Sequence, residues 1–205
     1  MKQKESLVDD VVKMEWKMFQ AVPNVGGKAS CQEDSKTFHI MRSSQLASWS
    51  EAVLESYLGD LKDAEILRRN LLTEKYARMM QSTSPAEYAR IEHLLQPIDS
   101  RAHGLIQQIV AIVLEWETEL QKKFPHILKR GRPLYSKEDR LGVTSLETYL
   151  RGELMTYSLR TLELYLTNVM QQKSEGINGS EITLMHTTKQ YGYDSLEKAN
   201  EAHKA

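Results

Sequence analysis

The sequence is short of the residues that build stapled or membrane-embedded proteins. One of its 205 residues is cysteine, which excludes an internal disulfide. No apolar run reaches the ~18 residues that a membrane-spanning helix needs, so no membrane association through a spanning helix is expected. The opening MKQKESLVDDVVK has no apolar core of a secretion signal, and the expected location is the cytoplasm. An excess of one charge is also missing. With 27 basic and 28 acidic residues the net charge is −1, which argues against a protein that grips nucleic acid through bulk charge. Only five prolines and ten glycines are present, and most fall between periodic segments.

What is there is an ordinary globular composition, 40% hydrophobic and 27% charged, on a chain long enough to bury a sizeable core. Apolar residues recur at helical spacing, with no convincing alternation of a strand. Leu105, Ile109, Ile112, Trp116 and Leu120 mark one face of a long helix between Pro97 and Pro125. Thr144 or Ser145 is placed to cap a second long helix running to about Lys173. Further helices are expected over residues 6–21, from Asp34 or Ser35 to Ala47, over residues 50–80 with Gly59 as a joint, and from Ser84-Pro85 to Leu95. Residues 126–143 and 174–192 resist helix assignment, and a last short helix is expected over 194–203. The expected fold is all-α: a single-domain irregular bundle of about six to eight helices over residues 1–173, followed by a less regular segment, 174–205, that belongs to the same domain or forms a mobile tail.

Several polar residues fall on faces that should be buried. Glu15 interrupts the stripe of Val8, Val11, Val12, Met18 and Phe19. An ionised carboxylate there is costly unless paired or bound to a ligand, so Glu15 is either half of a buried ion pair or a general base. Arg42 and Gln45 share a face with Phe38, Met41 and Trp49, and Arg42 is fitted either to pair with Glu15 or to bind a ligand oxyanion. Tyr149, Glu153, Tyr157, Thr161 and Tyr165 follow one another every fourth residue, forming a polar stripe beside Gly152 and Arg151. That stripe is either half-exposed or the wall of a polar pocket with Glu153 as acid or base.

Between these segments, Gly26, Gly27, Gln32 and Asp34 belong to a loop that opens a helix. Glycines followed by Lys28 and Ser30 do not match a nucleotide-binding phosphate loop, because the leading glycine is absent and Ala29 separates the lysine from the serine. A more general anion nest of free amides is compatible with the pattern. Cys31 in the same loop is either a small packed residue or a thiol activated by the helix start. The basic run Lys129-Arg130-Gly131-Arg132-Pro133 is a solvated loop or an anion clamp, whereas Lys75 and Arg78, among interspersed acids, read as an ordinary surface face. No Glu-x-x-His, His-Glu-x-x-His or paired-cysteine pattern occurs, so no metal centre is expected and no cofactor is indicated.

The stretches Met14-Glu15-Trp16-Lys17-Met18-Phe19, Val22-Pro23-Asn24-Val25-Gly26-Gly27-Lys28-Ala29-Ser30-Cys31-Gln32, Thr37-Phe38-His39-Ile40-Met41-Arg42-Ser43-Ser44-Gln45 and Glu147-Thr148-Tyr149-Leu150-Arg151-Gly152-Glu153-Leu154 resemble the uncharacterised prokaryotic family catalogued as domain of unknown function 4125. The resemblance implies a bacterial or archaeal cytoplasmic protein and supplies no reaction. Two functions are expected from the residues. In the first, a pocket lined by Glu15, the Gly26–Asp34 loop, Arg42, Gln45, Glu153 and Tyr157 takes a small anionic or polar ligand, with a carboxylate as acid or base. In the second, a structural or partner-binding protein uses the same residues only to fix helix packing. A homo-oligomer is compatible with either.

Overall fold

The computed structural model describes residues 2–24, 27–129 and 131–204. Among them are eleven α-helices, three short 3-10 turns and no strand, only an isolated bridge between Arg140 and Val143. The all-α class agrees with the sequence; the helix number exceeds the expected six to eight. The helices are α1 (Lys2–Gln20), α2 (Ser35–Ala47), α3 (Glu51–Ile66), α4 (Leu71–Thr83), α5 (Pro85–Ile91), α6 (Ser100–Lys123), α7 (Pro125–Leu128), α8 (Leu146–Leu154), α9 (Leu159–Ser174), α10 (Gly179–Gln190) and α11 (Leu196–Ala202).

The extra helices have local causes. The expected helix over residues 50–80 breaks after Ile66, not at Gly59, which lies inside α3. Arg68 takes the left-handed conformation (φ 55°) there, the Arg69 amide returns to the Ala64 carbonyl at 2.8 Å, and Asn70 caps α4 by accepting from the Thr73 amide at 3.0 Å. The helix expected over residues 145–173 breaks at Met155–Ser158. Ser158 donates its amide to Asp60 at 3.0 Å, and its hydroxyl accepts from the Thr161 amide, starting α9. Ser145 caps α8 in the same way.

The short helix expected over residues 194–203 forms as α11, and the segment 174–192, where no helix was assigned, also holds one, α10. Its threonines hid the helix, since they are poor helix formers in isolation. In α10 the hydroxyls of Thr183, Thr187 and Thr188 return to carbonyls one turn back, which satisfies them within the helix. Asn178 caps this helix, which packs on α2 and α6. Its contact with α2 explains why the latter buries two faces. Ser44 is fully buried and accepts from Gln190 at 2.9 Å, whereas Arg42 points to the opposite side, towards α1.

The main core is built by α1, α3, α4, α6, α8 and α9, with Leu54, Leu61, Ile106, Ile109, Leu154 and Leu162 among its fully buried side chains. Complete burial of each such side chain stabilises by roughly 1.5–3 kcal/mol relative to exposure. A small second core joins Leu120, Phe124 and Leu196 under α11. No helix among the described residues is long and apolar enough to cross a membrane.

Candidate functional site

The core contains a cluster of ionised side chains drawn from four helices. Glu15 (α1), Arg42 (α2), Lys75 (α4) and Glu153 (α8) are all at least nine-tenths buried. Arg42 grips Glu15 with two parallel bonds, Nε to Oε2 at 2.7 Å and Nη2 to Oε1 at 2.6 Å. Its Nη1 donates to Gln45 at 2.5 Å and to Glu153 Oε1 at 3.1 Å. Lys75 donates to Glu153 Oε2 at 2.5 Å, and its ammonium lies 3.6 Å from the centre of the Tyr149 ring. The hydroxyls of Tyr57 and Tyr157 complete the set, donating at 2.8 Å to Glu15 and Glu153 respectively. Two carboxylates and two cations sum to zero charge, and bidentate geometry of this kind gives strong charge-assisted bonds.

The surroundings shift the protonation equilibria of the cluster, each according to its neighbours. Burial raises the Glu153 carboxyl, but Arg42 and Lys75 outweigh it and hold the group far below the usual carboxylate range. Burial opposes the Arg42 charge, yet Glu15 and Glu153 keep its pKa well above normal. Burial and the adjacent carboxylates push Tyr57 and Tyr157 up, so both hydroxyls remain donors. Burial also raises Tyr149, but Lys75 reverses the effect and the net shift is downward.

The sequence stripes meet here because each of the four helices turns one charged residue inward to the same point. Gly152 lets α8 approach α4 closely enough for this: a Cβ at that position would lie 2.8 Å from Cγ of Met79 and 3.0 Å from the Lys75 carbonyl oxygen. The cluster leaves a cavity of about 20 Å³, bounded by both carboxylates, Arg42, Lys75, Tyr149 and Tyr76. That is room for one water molecule.

Other expected site residues sit elsewhere. Gln32 is buried but turns to its own loop: Nε2 donates to the carbonyls of Phe19 and Val22, and Oε1 accepts from the Ala29 amide and Asn24. It thereby ties the end of α1 to the start of α2. Gly27 is exposed with φ 104°, Asp34 caps α2 by accepting from the Thr37 amide, and Cys31 is exposed. Gly26 lies outside the described residues. Arg151 pairs with Glu147 one turn away. In the basic loop, Arg132 donates to the Thr144 carbonyl and covers the Tyr149 ring, while Arg130 lies outside the described residues. Among the described residues no group of three or more His, Cys, Asp or Glu side chains is placed to hold a metal ion.

Two participants, Tyr57 and Lys75, were not singled out from the sequence. Tyr57 is hidden among the apolar residues of α3. Lys75 and Arg78, expected on a surface face, are buried. The available signal was their spacing with Leu71, Leu72 and Met79, which places them on the inner side of α4.

The model of one protein family, described as Protein of unknown function (DUF4125), matches residues 5–201. No curated protein and no solved structure matches the chain.

Proposed function

This chain belongs to the family described as Protein of unknown function (DUF4125), and we propose that it is a helical binding protein whose buried Glu15–Arg42–Glu153–Lys75 network fixes helix packing. The supporting observation is closure. The cavity touching all four ionised groups measures about 20 Å³, and each charge is answered by an opposite charge within the protein. A satisfied network of this kind contributes more to a unique arrangement of helices than to net stability, because desolvation offsets most of the attraction. The protein then acts through its surface, on a partner or ligand, in a prokaryotic cytoplasm.

One observation favours a second function. The water-sized cavity brings two carboxylates, a lysine, an arginine and Tyr149 to one point, a donor and acceptor set suited to a small anionic or polar ligand. In that case Glu15 or Glu153 acts as acid or base and Arg42 and Tyr149 hold the ligand, with Gln45 and Tyr157 positioning Arg42 and Glu153 from behind.

A thermal-shift screen of wild type, Glu15→Gln and Glu153→Gln against anionic metabolites and nucleotides separates the two. A packing network predicts that both variants melt roughly 6–20 °C lower and that no compound gives a shift dependent on these residues. A compound that stabilises wild type but neither folded variant would establish the pocket instead.

A further inference from the structure

Arg78 lies on α4, one residue short of a full turn beyond Lys75, and faces a different part of the molecule. It is as buried as Arg42, with 7% exposure in each case. Its Nη2 donates to the Gln96 carbonyl at 2.7 Å, but its Nε is buried and donates to nothing. It pairs with no carboxylate among the described residues. Burial pushes its pKa down, and Glu74 and Tyr88 offset this only in part. Nε is shut off from solvent, but among the described residues Nη1 makes no hydrogen bond and is not sealed in, so it is the donor that an oxyanion beside this desolvated guanidinium would meet.

The side chain borders a groove of about 390 Å³ between α3, α4, the start of α6 and the bend joining α8 to α9. Four other charged residues line it. Arg69 is occupied by a bidentate pair with Glu74, and Asp99 is held by Arg101. Asp60 accepts the Ser158 amide and is raised by burial, while Asp63 makes no ion pair among the described residues. Among the described residues the groove therefore offers one cation paired with no carboxylate and two carboxylates in no salt bridge, with Asp60 in the field of Arg69. Those carboxylates disfavour a multiply charged anion and leave a place for an ammonium group.

We propose that this groove binds a small zwitterion of amino-acid or dipeptide size, its carboxylate on Arg78 and its ammonium beside Asp60 and Asp63. The volume suits such a molecule. The inference deepens the proposal that the protein acts by binding, and every residue tested lies outside the buried network, so failure here leaves the role of that network standing.

Calorimetric titration of the full chain with the free amino acids and alanyl-alanine tests it. Alanyl-alanine is compared with its N-acetyl derivative, which lacks the ammonium, and its C-terminal amide, which lacks the carboxylate. The expected result is binding by at least one zwitterion, weaker binding of both blocked dipeptides, and a loss of about tenfold or more in Arg78→Met. Asp63→Asn, at an exposed position, is expected to weaken the zwitterion by about threefold and to leave the N-acetyl compound unchanged. Should Arg78→Met not fold, Asp63→Asn and the blocked dipeptides carry the test alone. No heat from any zwitterion at about 10 mM, or equal binding by the blocked forms, overturns the proposal.

Discussion

Arg42 and Arg78 are equally buried, and their environments are opposite. Arg42 sits between two carboxylates and a glutamine and belongs to a set whose charges cancel. Arg78 has one carbonyl partner, no carboxylate among the described residues, and borders an open groove. Burial alone therefore does not mark a functional arginine. A charge answered within the fold has its work there, and one left unanswered points outward to something the chain does not itself supply.

Removing each arginine sharpens this contrast. Arg42→Ala leaves Glu15 buried without a cation and deprives Glu153 of one of its two, so unfolding in urea should show a loss of about 3–5 kcal/mol. A loss under about 1 kcal/mol would mean that water already reaches the cluster and that it is not a sealed network. The next effect is a pH dependence. Because Glu153 is depressed in the folded protein, its contribution is complete above its unfolded pKa of about 4.3 and is lost as pH falls below that value towards the folded pKa. Glu153→Gln should flatten this acid limb while lowering stability at neutral pH, and an unchanged limb would assign it to other carboxylates. Gly152→Ala tests the helix approach that seats the cluster. Its added methyl meets Met79 and the Lys75 carbonyl, for an expected cost of about 1–3 kcal/mol. Smallest is Arg78→Met, expected to change stability by less than about 1 kcal/mol or to raise it, since the apolar chain keeps its packing and no buried charge needs an answer. A loss as large as that of Arg42→Ala would erase the distinction between the two sites.

The sequence carried much of the cluster and less of its context. Glu15 stands out on an apolar stripe, and Glu153 and Tyr157 share a four-residue period, so a polar meeting point was legible. Lys75 was not, because a lysine that follows Glu74 and precedes Arg78 by three residues has the local composition of a surface helix, and only the helix opposite decides otherwise. The breaks at Arg68 and at Met155–Ser158 were hidden for a related reason. Apolar spacing runs on through both, whereas each turn is settled by a long-range or capping bond, such as that from Ser158 to Asp60. The helix α10 was obscured by its threonines, whose preference is reversed by back-bonding within the helix and by packing on α2. Of the expected loop residues, Gln32 was read as a ligand contact, yet it is buried and its four bonds all close on the chain around it.

The zero charge sum of the central cluster also bears on how the molecule meets its medium. Surface pairs such as Lys17–Glu65 and Lys123–Glu181 stand in water, where dissolved ions weaken them over a Debye length of about 10 Å at 0.1 M salt. Mobile ions cannot enter a space that holds one water, and a neutral set projects little field outward for them to screen. The tie between α1, α2, α4 and α8 should therefore keep its strength from dilute buffer to concentrated brine, while the bonds on the exterior come and go.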